Sequence, residues 1–234
     1  TFMDGLTFKT QAGLDIANVR DYMYWDTESG DGYGYGGLIE EVNSTYATWN
    51  WQNVLNFTRT FNSVHNLTAT AVQEYTHSET EYMDGSVYEL SDPFFSEHII
   101  SNTFGQKDVG GWKSENGLAS YMFRANYNYD SKYYIGASIR YDGLSKLPKD
   151  TRWGTFWGAS AAWRLSREKF WTEAPVNEWF NDLRLRASYA TIGNSALGSD
   201  YPYLGTYGAK LVGPMAGIAW NVMGNNYFKW ETTE

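Results

Sequence analysis

The stretch YMFRANYNYDSKYYIGASIRYDG, residues 121 to 143, decides the fold. Read at every second position, Tyr121, Phe123, Ala125, Tyr127 and Tyr129 fall on one side, with Met122, Arg124, Asn126 and Asn128 on the other. After Asp130-Ser131 the alternation resumes, setting Tyr133, Ile135, Ala137, Ile139 and Tyr141 against Tyr134, Gly136, Ser138, Arg140 and Asp142. Successive side chains of a strand point to opposite faces, so the stretch is a β-hairpin with one apolar and one polar face.

The same period of two marks strands near residues 5 to 22, 37 to 61, 65 to 79, 118 to 130, 132 to 144, 152 to 165 and 182 to 192, with an eighth beginning at Phe228-Lys229-Trp230. The connections are unequal: short at 62 to 64 and 130 to 131, moderate at 145 to 151, long at 23 to 36, at 80 to 117 and from 193 onward. The segment LSREKFWTEAPVNEWFNDL, residues 165 to 183, reads as partly helical and falls on the short-turn side, as an elaborated turn.

Aromatic residues make up 18% of the 234 residues, more than a soluble core needs, and charged residues only 19%. No apolar run reaches the roughly 18 to 20 residues of a membrane helix. A membrane β-barrel is compatible with this pattern, because its strands alternate weakly and its turns are short on one side and long on the other. The net charge of −9 argues against a nucleic-acid partner, and without cysteine there is neither a disulfide framework nor a thiolate metal site. TFMDGLTFKT at the start carries no export signal, which leaves a cytoplasmic protein or a chain that begins further upstream.

The aromatic rings are ordered. In RWGTFWGASAAWRL, Trp153 and Trp163 stand ten residues apart on one parity, with Thr155, Trp157, Ala159 and Ala161 between them. Tyr133 and Tyr141 bracket Ile135, Ala137 and Ile139 in the same way. Rings at both ends of an apolar band are the interface girdles of a membrane barrel, and Tyr133, Tyr141, Trp153 and Trp163 are assigned to them. The opposite parity carries Arg124, Arg140, Arg164, Arg184 and Arg186, which would line a wet lumen or meet a plug. A soluble β-sandwich would show the same alternation with that face in water.

YMFRANYNYDSKYYIGASIRYDGLSKL, RWGTFWGASAAWRLSREKFW, LRLRASYATIGN and KWETT, in that order, closely resemble the barrel of the SusC/RagA family, and WNWQNVLNFTRTFNSVHNLTATAVQEY resembles its preceding hairpin. These are TonB-dependent outer-membrane transporters of Bacteroidetes. The resemblance covers nearly the whole chain. It implies an all-β fold, an antiparallel transmembrane β-barrel of 22 strands of which residues 1–234 supply seven to eight. Nothing here matches the family's plug domain or TonB box, so the chain reads as a middle portion of the barrel domain. The implied function is TonB-dependent import of an oligosaccharide or peptide across the outer membrane, with a SusD-like surface lipoprotein closing over the barrel and the TonB complex pulling on the plug. No covalent chemistry, cofactor or metal is implied. The competing reading is a soluble secreted β-sandwich that binds carbohydrate; a non-transporting adhesin would share the barrel and lack the plug.

Within this frame the inward arginines serve the plug in preference to an anionic substrate. Tyr82, Tyr88 and Trp112, with Phe94 and Phe95, in the loop 80 to 117, and Tyr201, Tyr203, Tyr207 and Trp220 in the segment 193 to 228, are the candidates for substrate or partner contact. The remaining motifs carry little. Asp26, Glu28 and Asp31 lack the register of a calcium loop, and GYGYGG lacks the Lys-Ser/Thr of a phosphate loop. GNSALG is not a nucleophile elbow, and His65, His77 and His98 have no ligand-like spacing. The N-x-S/T matches at Asn43, Asn56 and Asn66 carry no meaning in a bacterial outer membrane.

Overall fold

The computed structural model describes residues 3–91, 99–101, 103–212 and 215–233. Seven strands follow one another in a single sheet in sequence order: β1 (Leu6–Trp25), β2 (Leu38–Phe61), β3 (His65–Tyr88), β4 (Lys107–Tyr129), β5 (Tyr133–Leu144), β6 (Trp153–Arg164) and β7 (Arg184–Ala190). Two short antiparallel pairs complete the strand content of the described residues. β8 (Ile192–Asn194) pairs with β11 (Glu231–Thr233), and β9 (Thr206–Val212) pairs with β10 (Met215–Val222). The only α-helix among the described residues is α1 (Lys169–Thr172).

The tight turns follow from local chemistry. Asn62 and Ser63, and likewise Asp130 and Ser131, all adopt positive φ, between 47° and 61°. Two successive residues in that region make the turn whose twist matches flanking antiparallel strands, and Asn and Asp tolerate it better than other non-glycine residues. Asp130 N–H donates to Val64 O and Arg164 N–H to Lys132 O, so the connections after β2, β4 and β6 lie at one end of the sheet.

By contacts the chain divides into two compact units, residues 1–12, 50–76 and 117–234 in one, residues 13–49 and 77–116 in the other. In the first, β4 to β7 pair antiparallel in unbroken register: Tyr121 faces Tyr141, Phe123 faces Ile139, which in turn faces Trp157, Ala125 faces Ala137, which faces Ala159, and Tyr129 faces Tyr133, which faces Trp163. The odd parity of these strands is therefore one apolar surface. Among the described residues no second sheet packs on it. Phe123, Ile135, Ile139 and Trp157 are 50, 62, 49 and 50% exposed, which a β-sandwich, with one face buried against a partner sheet, does not allow. Among the described residues, the buried apolar side chains of this unit are Leu144, Leu147 and Phe156, and those of the second unit are Leu38, Ile39 and Val87.

Three sequence expectations shift. The long loop at 80 to 117 is mostly strand: β3 runs on to Tyr88 and β4 starts at Lys107. Gly110-Gly111 and the Lys, Asp and Glu residues around them read as loop, but cross-strand pairs hold them extended, with Lys113 Nζ 2.6 Å from Glu79 and Tyr82 stacked on Trp112. Tyr82, Tyr88 and Trp112 are thus strand residues. Phe94, Phe95 and His98 lie outside the described residues. The segment from 193 holds the β9–β10 hairpin, which places Tyr207 and Trp220 on strands as well. The eighth strand starts at Glu231, three residues later than Phe228, because Trp230 is turned onto Phe156 and its Nε1 donates to Arg152 O at 2.8 Å.

Candidate functional site

The apolar face carries two rows of rings. At the turn end Tyr129, Tyr133 and Trp163 stack in sequence, with centroids 6.4 Å apart at each step and planes within 23° and 13°. Toward the other end of β5 and β6, Tyr121 and Tyr141 both stack on Trp153, at 6.4 and 4.6 Å. Between the rows lies the band Phe123–Ile139–Trp157 and Ala125–Ala137–Ala159. His65, assigned no role from sequence, joins the turn-end row: its Nδ1 is 2.7 Å from the Tyr127 hydroxyl and its ring 5.1 Å from Tyr129.

The polar face is built from rows of opposite character. Arg124 faces Ser138, Asn126 faces Gly136, and Asn128 faces Tyr134, continuing to Gly158, Ser160 and Ala162 on β6. Gly136 is glycine because a Cβ there would stand 2.7 Å from Ser160 Oγ and 2.9 Å from Asn126 Oδ1.

The five arginines assigned to this wall divide into three kinds. Arg140 is neutralised inside it: its Nε donates to both carboxylate oxygens of the buried Asp142, at 2.8 and 2.7 Å, and an amino group donates to Ser120 Oγ at 3.0 Å. Arg164 donates to Asp182 Oδ1 at 2.8 Å, and Ser166 donates to the same oxygen. That arginine, followed by the serine, holds the Asp182 carboxyl below its usual range. Arg184 lies over the Tyr134 ring at 4.9 Å, with its Nε buried and without a hydrogen-bond acceptor. Arg124 and Arg186 have no carboxylate within ion-pair distance among the described residues. Arg186 borders a recess of about 380 Å³ walled by Asn66, Asn126, Asn128 and Ser160, and Arg124 one of about 250 Å³. The two are charges that the wall leaves available.

A third recess on this face, about 370 Å³, explains the motifs. It is lined by Leu118, Met122, Arg140, Phe156, Gly193 and Trp230 among others. Phe156 meets Trp230 edge-on at 5.3 Å, and Gly154 and Gly193 are the clearances: a Cβ on Gly193 would stand 2.1 Å from Phe156 Cζ, and one on Gly154 2.8 Å from both rings. RWGTFW, TIGN and KWETT, distant in sequence, meet here. Periodicity could not have found the cluster, since Trp230 belongs to no strand of the main sheet.

The ring candidates form three separate groups. In the second unit Tyr82 stacks on Trp112 at 5.6 Å and 15°, and Tyr88 contacts Tyr35 at 5.8 Å. In the first, Tyr207 and Trp220 face each other across β9–β10 at 4.1 Å, while Tyr201 and Tyr203 precede that hairpin. Asp26 closes its own loop, accepting from Glu28 N–H at 3.0 Å and Ser29 Oγ at 3.1 Å, and these bonds hold its carboxyl below the ordinary range. His77, Glu79 and Glu115 bring one ligand atom each within 4.8 Å, a convergence that spacing along the chain did not reveal. Lys113 already occupies Glu79 Oε1 at 2.6 Å, so one carboxylate of the group is engaged in an ion pair.

A sheet that leaves an apolar face exposed between two ring belts and opposes it with a polar face is the wall of a transmembrane β-barrel. No family model matches the chain. The TonB-dependent receptor P39 of Formosa agariphila is 31% identical over 232 residues, 98% of this chain and 22% of that protein. SusC of Bacteroides thetaiotaomicron, also a TonB-dependent receptor, is 34% identical over 101 residues, 43% of this chain and 10% of that protein. Among solved structures, the RagAB peptide transporter superposes with a TM-score of 0.85 over 98% of this chain and 25% of that one, at 24% identity. The chain belongs to the SusC/RagA family of TonB-dependent receptors, as a segment of its barrel. It spans less than a quarter of the length of the first relatives it matches.

Proposed function

We propose that residues 1–234 are part of the barrel domain of an outer-membrane transporter that imports an oligosaccharide or a peptide at the expense of TonB-coupled energy. The observation that carries this reading is the two-faced sheet itself. The belted odd face meets lipid, and the polar face looks into a lumen too wide to be filled by side chains, where a plug supplied by the rest of the protein sits. Arg124 and Arg186, with the ring-stacked Arg184, hold that plug through charge-assisted bonds to its carboxylates. Arg140 and Arg164, already paired, stiffen the wall.

A SusD-like lipoprotein closes over the ring-bearing segments that include Tyr82, Tyr88, Trp112, Tyr201, Tyr203, Tyr207 and Trp220, where rings can stack on sugar faces or bury against a lid. The relatives are named as receptors and a transporter, and this protein performs no covalent chemistry. The test is to extract the full-length protein from outer membranes in detergent, identify what co-purifies, and measure uptake with and without the TonB box. Co-purification of a surface lipoprotein together with TonB-dependent uptake is expected. A protein that fractionates without detergent, or whose uptake ignores the TonB box, overturns the proposal.

A further inference from the structure

The connection between β6 and β7, residues 165 to 183, carries chemistry that a simple turn does not need. Its Glu168 is not directed to water beneath the sheet. Oε1 accepts from the Tyr133 hydroxyl at 2.5 Å and from Trp163 Nε1 at 3.1 Å, and both donors belong to the turn-end ring row of the apolar face. These two bonds, the tyrosine's first, hold the Glu168 carboxyl below its usual range. Phe170 in α1 then meets Trp163 edge-on at 6.5 Å, extending the row Tyr129–Tyr133–Trp163 by a ring that no strand supplies. Trp171 Nε1 donates to Phe180 O at 2.9 Å, which folds the far half of the segment back against α1. Phe170, Trp179 and Phe180 are left 57, 84 and 63% exposed.

Rings of this size bury on the order of 150 to 250 Å² each when covered, and amphipathic rings collect where lipid headgroups meet acyl chains. We propose that this connection is an interfacial foot. It lies in the phospholipid headgroup layer at the short-turn end of the barrel, with Phe170, Trp179 and Phe180 immersed at its inner boundary. Glu168 is the clasp that ties the foot to the belt. The occupant is lipid, because Phe170 continues the ring row of the face that meets the membrane, and the Trp171–Phe180 bond holds the other two exposed rings on the same short segment; the inference rests on that reading of the odd face. Pulling on the plug during transport loads the barrel wall, and a foot of this kind resists rotation and sinking of the wall in the leaflet.

The experiment uses the full-length protein in vesicles of phosphatidylethanolamine and phosphatidylglycerol. This stretch contains no cysteine, so nitroxide labels are introduced at Trp179→Cys and, as reference for the odd face, at Ile135→Cys. Collision with lipid-soluble oxygen is compared with collision with a water-soluble nickel chelate. The oxygen-to-nickel ratio at position 179 is expected within about twofold of that at 135, and Glu168→Ala is expected to lower the ratio at 179 several-fold while leaving 135 unchanged.

Nickel access at 179 with oxygen access at 135 overturns the foot and leaves the lipid-facing sheet standing. Low access of both probes at 179 means that protein, such as the plug, covers it, and also overturns the foot. Nickel access at 135 removes the reading on which the inference rests. An unchanged ratio at 179 in Glu168→Ala overturns the clasp.

Discussion

Ala137 stands at the centre of the apolar face, and placing a charge there probes the architecture most directly. The ring rows cross β4 at Tyr121 and Tyr129, and Ala125, directly opposite Ala137, lies midway. At about 3.4 Å per residue and a strand tilt of about 40°, the four steps from Ala125 to either row amount to about 10 Å along the membrane normal, so the whole band is ~21 Å deep. That matches the apolar band of a bacterial outer-membrane barrel to within a few ångströms and puts Ala137 at the midplane. Arginine at that depth on the lipid face costs about 2–4 kcal/mol. That is a shift of about 30- to 900-fold in the folding equilibrium.

Ser138, the next residue, points to the opposite face and borders the recess of about 370 Å³, where an arginine has room and water. Ala137→Arg is therefore expected to lower the urea midpoint of the full-length protein refolded into vesicles, read by the shift in electrophoretic mobility that separates folded from unfolded barrels. Ser138→Arg is expected to leave it close to wild type. Equal effects, or a larger one at Ser138, would refute the assignment of faces.

Three further outcomes follow from the wall's own contacts. Gly193→Ala is expected to cost about 1–3 kcal/mol by overpacking, since its Cβ would meet a Phe156 ring that is only 6% exposed and held edge-on by Trp230; Phe156→Leu in the same chain should recover part of the loss in thermal unfolding. Replacing Arg124 and Arg186 by Gln together is expected to leave barrel stability unchanged and to raise sensitivity to large antibiotics as the plug loosens, whereas Arg140→Met should do the reverse, because it strands Asp142, whose side chain is 9% exposed, without its partner. Asp182 has a folded-state pKa below its ordinary value of about 3.9, so the stability it contributes is present above that pH and lost as pH falls through the folded value. Hydrogen exchange in residues 165 to 183, corrected for intrinsic rate, should rise below about pH 4 in the wild type, and Asp182→Asn should remove that dependence.

The sequence by itself determined the existence of the seven main-sheet strands and the two faces, though not the full length of β3 and β4. In 121 to 143 each residue's neighbours two positions away share its character, and a period of two is a local property that survives without knowledge of partners. It determined the turns as well, because Asn62-Ser63 and Asp130-Ser131 can take the positive φ that a tight hairpin demands. The two rows of rings were legible for the same reason: Tyr133 and Tyr141, or Trp153 and Trp163, bracket an apolar stretch within one strand.

What lay beyond the sequence are the contacts whose partners are far apart along the chain. The strand character of residues 80 to 88 and 107 to 117 rests on cross-strand pairs such as Glu79 with Lys113, against weak local propensity. The pairing of Arg140 with Asp142 depends on a shared face, but which arginines stay unpaired depends on Asp182, Ser120 and Tyr134 arriving from other elements. The meeting of Trp230, Phe156 and Gly193, and the hold of Glu168 on the belt, were likewise decided only by tertiary structure, because side-chain packing and hydrogen bonds are set by distance in space, and a linear period carries no record of it.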